Sequence, residues 1–183
     1  MISQTIKNRR SVFPAQYNGQ PISKEEVLQI LESANWAPTH KRTEPWRFKV
    51  FHGASQIGLG KFLAETYKQT TENFSGFTYK KFLENPVKAG CVIVICMQRD
   101  PKESLPEWEE IAATAMAVQN MWLTAADMNI GSYWATPGLL KYMDKFIQME
   151  EGERCLGFFY MGKYDELPEG TRKTTIQEKT IWV

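Results

Sequence analysis

The segment Ala89-Gly-Cys-Val-Ile-Val-Ile-Cys-Met97 is apolar at nearly every position. A strand with one wet face alternates apolar and polar residues, whereas one covered on both faces does not. AGCVIVICM therefore predicts a central strand with other structure packed above and below it. Downstream, Glu107 to Met128 carries the longest helical pattern in the chain, rich in alanine at 112, 113, 115, 117, 125 and 126. Ile111, Ala115, Val118, Met121, Trp122 and Ala125 form one apolar face, and Ala112, Met116, Gln119, Leu123 and Ala126 form a second. A helix apolar on two sides packs one side on its own core and the other on a partner, so this helix predicts a dimer. Asn129 or Gly131 can supply the left-handed residue that stops it.

Outward from these two elements the pattern alternates between periods. Trp46-Arg-Phe-Lys-Val-Phe-His52 reads as a half-buried strand, with Trp46, Phe48 and Val50 on one face. Cys155 to Gly162 reads as a second buried strand and Thr180 to Val183 as a terminal one. Ser23 followed by Glu26 is a capping box, and Val27, Leu28, Ile30, Leu31 and Ala34 fall at helical spacings behind it. Residues 3–9, 54–72 and 138–147 read as further helices. Residues 73–85, with Phe74, Phe77, Tyr79 and Phe82, read as a mobile aromatic stretch, suited either to cover an acceptor or to tuck into a neighbouring subunit. No repeat or linker interrupts the chain, which predicts one α+β domain over residues 1–183, a layered arrangement of helices and strands.

Composition narrows the function. Hydrophobic residues make up 43% and charged residues 23% of 183 residues, so the chain is neither disordered nor collagen-like. The formal net charge of +1 offers no general attraction to nucleic acid or to an acidic membrane. The polar start MISQTIKNRRS has no signal-peptide pattern and no apolar run is long enough to span a bilayer, which predicts a cytoplasmic protein. Cys91 and Cys96 lie an odd number of positions apart on one strand and so point to opposite faces, as small core residues rather than a redox or metal pair. Two histidines, His40 and His52, are a poor set for a dedicated zinc site.

Motifs for chemistry are mostly absent. There is no G-x-S-x-G elbow for a hydrolase. Gly58-Leu-Gly60 begins like a dinucleotide fingerprint, but it lies inside a helical pattern and Leu63 stands at the third glycine position. What remains are basic groups suited to a discrete anion: Arg9-Arg10-Ser11 at a helix-to-turn transition, Lys41-Arg42 in a loop between prolines, and Arg172-Lys173. The guanidinium fork matches phosphate geometry.

Arg9-Arg10-Ser11 after a short helix resembles the Arg-[Arg/His]-Ser signature of the FMN-dependent nitroreductase family. Ala37-Pro38-Thr39-His40, leading to Glu44-Pro45-Trp46-Arg47-Phe48, resembles that family's prolyl loop and following strand at the same spacing. The long alanine-rich helix ending in Asn129-Ile-Gly-Ser-Tyr-Trp134, the strand Gly157-Phe-Phe-Tyr-Met-Gly162 and the basic pair Arg172-Lys173 extend the resemblance through nearly the whole chain. The short, minimal subgroup, with His in the prolyl loop, is the most similar.

The resemblance implies a nitroreductase-like fold: a central mixed β-sheet flanked by helices, a long central helix, and a homodimer with active sites at the interface. It implies FMN as cofactor and NAD(P)H as electron donor, with a nitroaromatic, quinone or similar small acceptor served by a ping-pong mechanism at flavin N5. No side chain is then required as a catalytic acid or base, because the cofactor carries the chemistry. Arg9, Arg10, Arg172 and Lys173 would pair with the phosphate and with ring oxygens, and Ser11 would donate to the phosphate or ribityl region. Trp134, Ala135 and Thr136 would line the flavin from their own chain, and Trp36 and His40 would contribute from the other subunit. Phe13 and Thr174–Thr175 stand where relatives often carry basic residues or Arg-Pro, and Trp36 where they carry a small or basic residue. A flavin-binding store or sensor without turnover is the alternative on the same fold.

Overall fold

The computed structural model describes residues 2–183. Its centre is a four-stranded sheet in the order β1-β2-β4-β3. The strands are β1 (Trp46–Phe51), β2 (Cys91–Gln98), β3 (Ile130–Ala135) and β4 (Glu153–Lys163). Every ladder is antiparallel. The parallel component among the described residues is one bridge, Ser11 to Ser132, beside which the Val12 amide donates to the Ser132 carbonyl at 3.1 Å.

The apolar run of β2 is buried on both faces, as its lack of alternation predicts. Cys91, Ile93 and Ile95 join Phe159 and Met161 of β4 under α2 (Lys24–Ala34) and α5 (Glu107–Asp127). Val92, Val94 and Cys96 join Phe158 and Tyr160 under α3 (Ser55–Thr70), α4 (Gly76–Lys88) and the 3-10 segment Gly138–Lys145. The result is three layers, helix on sheet on helix. Full burial of each large side chain in these layers contributes about 1.5–3 kcal/mol.

Local signals place several element ends. The Ser23 hydroxyl accepts from the Glu26 amide at 3.2 Å and the Glu26 carboxylate accepts from the Ser23 amide at 2.8 Å, a reciprocal cap at the start of α2. Asn129, with φ at 55°, is the left-handed residue that follows α5. Gly131 is instead part of β3, a strand absent from the elements expected from the sequence. Gly58 and Gly60 lie inside α3, where a Cβ on Gly60 would stand 2.4 Å from the Leu83 carbonyl oxygen. That glycine serves the close approach of α3 to α4, not a phosphate loop.

Two expectations need correction. Residues 73–85 are mostly helix: Ser75 caps α4 by accepting from the Thr78 amide at 3.3 Å, and Phe82 packs with Tyr67 of α3. Gly76 and Pro86 look like breakers, but they occupy the first and last turns, so neither interrupts the body of the helix. Thr180 to Val183 forms no ladder, and Trp182 is 95% exposed. Among the described residues, no helix is long and apolar enough to cross a membrane.

Candidate anion and cofactor site

α1 (Ile2–Asn8) is a short helix whose last turn delivers Arg9 and Arg10 to the edge of β3. The Arg10 guanidinium donates to the Lys7 carbonyl at 2.7 Å and the Arg9 carbonyl at 3.1 Å, closing the C-terminus of α1. Arg9 turns the other way and lies over the Trp122 ring of α5, its guanidinium carbon 4.5 Å from the ring centroid. The bridge to Ser132 then fixes Ser11 beside β3.

Two cavities share Arg9 and Arg10 as a common wall. One, about 340 Å³, is closed by Trp122, Asn129, Gly131 and Tyr164. The other, about 490 Å³, is lined by Ser11, Phe13, Gln16, Gly170 and Arg172. Gly170 lets the C-terminal tail lie directly on Arg10, since a Cβ there would fall 2.1 Å from Arg10 Nε.

The polar atoms at this wall are short of partners. Arg9 Nη1, Arg10 Nε and Trp122 Nε1 are buried without a hydrogen-bond partner, as is Ser132 Oγ on the adjoining strand β3, outside both linings. Buried polar groups are ordinarily satisfied, so unpaired donors at a cavity wall indicate a ligand or water that completes them. Burial, then Arg172, then Arg10 lower the Arg9 pKa. A bound oxyanion would reverse the effect of the two neighbouring cations and accept from the free N–H groups. The donor set therefore fits a phosphate.

Other predicted site residues lie nearby or elsewhere. Ser132 and Trp134 share one face of β3, and the Trp134 indole donates to the Leu156 carbonyl at 3.2 Å. A Cβ on Gly157 would come within 1.9 Å of Trp134 Nε1, so glycine leaves room for the indole. Ala135 is half-buried, Thr136 is exposed at the strand end, and Lys173 is exposed beside Arg172.

Trp36 is 79% exposed just past α2, where its indole donates to Glu32 at 3.2 Å. The His40 side chain is 61% exposed and its Nδ1 is 2.7 Å from Glu109, in the first turn of α5. Helical rise puts Glu109 about 20 Å from Trp122 along α5. His40 is thus far from the arginine wall of its own chain. Its loop carries positive φ at Lys41 (50°), Arg42 (56°) and Glu44 (44°), held by the Lys41 ammonium on the Ser104 carbonyl at 2.9 Å and the Thr39–Thr43 hydroxyl contact at 3.2 Å.

Sequence reasoning missed Trp122 and Ser132 as site residues. The first was read as core, although an indole needs a partner for its N–H when buried. No signal marked the second.

A three-layer α+β domain with unsatisfied cationic donors at the edge of the sheet has a donor set that suits an anion. The Nitroreductase family profile matches residues 6–163, and the chain belongs to that family. It is 26% identical to "Putative NAD(P)H nitroreductase YfhC" of Bacillus subtilis (strain 168), over 98% of this chain and 92% of the relative. The crystal structure of a nitroreductase-like family protein from Bacillus cereus superposes with a TM-score of 0.84 at 28% identity, covering 100% of this chain and 96% of that one. A structure from Desulfovibrio desulfuricans, described as a "putative nitroreductase in complex with fmn", shares the fold, with a TM-score of 0.73 at 22% identity over 97% and 94% of the two chains.

Proposed function

We propose that this protein is an FMN-dependent oxidoreductase that carries electrons from NAD(P)H to a small organic acceptor, a nitroaromatic, quinone or similar compound, as a cytoplasmic homodimer. The observation that carries this reading is the convergence of Arg9, Arg10, Ser11 and Arg172 on one cavity, with buried guanidinium N–H groups left unpaired, in a member of the nitroreductase family. When bound, FMN would supply an N5 that exchanges hydride with NAD(P)H and acceptor in turn, a ping-pong cycle.

The chain's own residues bind and orient. Arg9 Nη1 and Arg10 Nε would donate to phosphate oxygens, with Arg172 and Lys173 of the tail as further cations. Ser11 would donate to the phosphate or ribityl end. Trp134, Ala135 and Thr136 would line the ring. No side chain is assigned as a catalytic acid or base.

Dimerisation completes the site. His40 is exposed and lies far from the arginine wall of its own chain, so it would reach a flavin from a second subunit, and the exposed Trp36 is assigned to the same role. The outer face of α5 supports this arrangement: Met116 is 41% exposed and Ala112, Leu123 and Ala126 are half-buried. The tail adds exposed Ile176, Ile181 and Trp182.

The test is a visible spectrum of the purified protein before and after FMN addition and desalting, with NADH and NADPH oxidation followed using an artificial acceptor. A stoichiometric flavin band and acceptor-dependent turnover support the reading; no band after reconstitution refutes it. Arg10→Ala and Arg172→Ala should each lower retained FMN while the dimer persists. If both keep FMN at the wild-type ratio, the phosphate clamp is wrongly assigned.

A further inference from the structure

Cys96 of β2 and Cys155 of β4 face each other across the ladder with their sulfurs 3.4 Å apart. The register explains how. Between Ile95 and Cys96 the pairing shifts by one residue, so Cys96 lies opposite Cys155 and not Leu156. A bulge of this kind re-aims side chains. Leu156 packs with the layer under α2 and α5, while Cys155 packs beside Cys96 on the other face. All three cysteines are free, and Cys91 is buried on the opposite face of the sheet.

We propose that Cys96 and Cys155 form a thiol–disulfide site, in which Cys155 is the attacking sulfur and Cys96 the resolving one, and that hydroperoxides oxidise it. The proposal is independent of the flavin reading. A disulfide sulfur–sulfur bond is about 2.0 Å, so closure needs the two side chains to approach by about 1.4 Å. Directly opposed antiparallel residues have Cα separations of about 4.5–5.5 Å, within the range a disulfide spans.

Access separates the two roles. Cys96 is fully buried and Cys155 only partly so. The shared S–H···S contact pushes Cys155 below and Cys96 above the ordinary thiol range. Around Cys155, burial and the Glu153 and Asp144 carboxylates oppose the thiolate, while Lys49, 3.0 Å from Glu153, supports it. Cys91, by contrast, is pushed up to about 12 by burial alone.

In the first step the Cys155 thiolate attacks one peroxide oxygen. The O–O bond breaks, giving a sulfenic acid and hydroxide, which takes up a proton. In the second step the Cys96 sulfur attacks the Cys155 sulfur. The S–O bond breaks, and the hydroxyl leaves as water with the Cys96 proton. Overall two thiols and one hydrogen peroxide give one disulfide and two waters, and a dithiol reductant reverses the change.

The experiment exposes the full chain, freed of reductant, to stoichiometric hydrogen peroxide, followed by thiol counting, intact mass and peptide mapping. The expected result is loss of two thiols and two hydrogens, a cross-link joining the Cys96 and Cys155 peptides, an unmodified Cys91, and full reversal by dithiothreitol. Cys96→Ser should leave a Cys155 sulfenic acid that dimedone traps, and Cys155→Ser should lose no thiol under the same exposure. Three unchanged thiols, sulfinic acid at Cys155 beside a free Cys96, or a disulfide joining two chains would each overturn the proposal.

Discussion

Arg9 lies over Trp122, its guanidinium carbon 4.5 Å from the ring centroid, while Arg9 Nη1 has no hydrogen-bond partner. The ring holds the cation without consuming its donors. Such a contact is worth about 0.5–2 kcal/mol depending on desolvation. Trp122→Leu should therefore weaken FMN binding by about 2-fold to about 30-fold, taking 1.4 kcal/mol per decade. Trp122→Phe keeps a ring face and should lose less. Titration of FMN fluorescence with each variant measures the difference; equal affinities across the three proteins would show that Trp122 does not position Arg9.

The glycines of α3 should respond oppositely to alanine. A Cβ on Gly60 meets the Leu83 carbonyl at 2.4 Å, and backbone cannot rotate away, so Gly60→Ala should destabilise by about 1–3 kcal/mol. Gly58 is exposed and its Cβ would meet only the Phe146 ring at 3.7 Å. Gly58→Ala should stabilise by about 0.5–1 kcal/mol through helix propensity. Urea midpoints give both signs in one comparison.

Glu26 links α2 to the end of β4. Its carboxylate accepts from the Lys163 ammonium and from the Ser23 amide, and these bonds hold its pKa below the ordinary value of 4.5. In the window between the folded and unfolded values, the unfolded chain binds more protons, so stability rises with pH there. The contribution is present above the ordinary value and lost as pH falls through the folded one. Glu26→Gln should flatten the acid limb of a melting-temperature profile below about pH 4.5 and leave its neutral shape unchanged.

Met116 lies on the outer face of α5. If that face is the dimer contact, Met116→Glu buries an uncompensated charge in each subunit, at about 3 kcal/mol or more. Sedimentation velocity should show a shift toward monomer, and retained FMN should fall with it. A dimer of unchanged stability would place the interface elsewhere.

Signals that reach only a few residues along the chain were legible in the sequence. Ser23 and Glu26 announce a capping box because both partners lie in one turn. The unbroken apolar run of β2 announces burial on both faces because each residue contributes alone. α4 was hidden by Gly76 and Pro86, which count as breakers in a local reading but occupy terminal turns here. β3 was hidden because Asn129 and Gly131 both look like turn residues, and only Asn129 takes the left-handed angle.

The cysteines mark the same boundary. Period-two counting correctly sends Cys91 and Cys96 to opposite faces. It would also send Cys155 to the face of Phe159 and Met161, away from Cys96. The register shift beside Ile95 reverses that, and nothing within a few residues of Cys155 signals it.

The layered class, the two-sided strand, the long two-faced helix and the basic blocks that resemble the nitroreductase signature were all readable along the chain. Each is a property of residue type and short-range period. Which of those blocks meet was set by the folded arrangement. It brought Arg172 to Arg9 and Arg10, kept His40 at the far end of α5, and put two thiols in contact. These outcomes depend on strand register and chain path, which are set by packing between residues distant in sequence, and no local pattern encodes them.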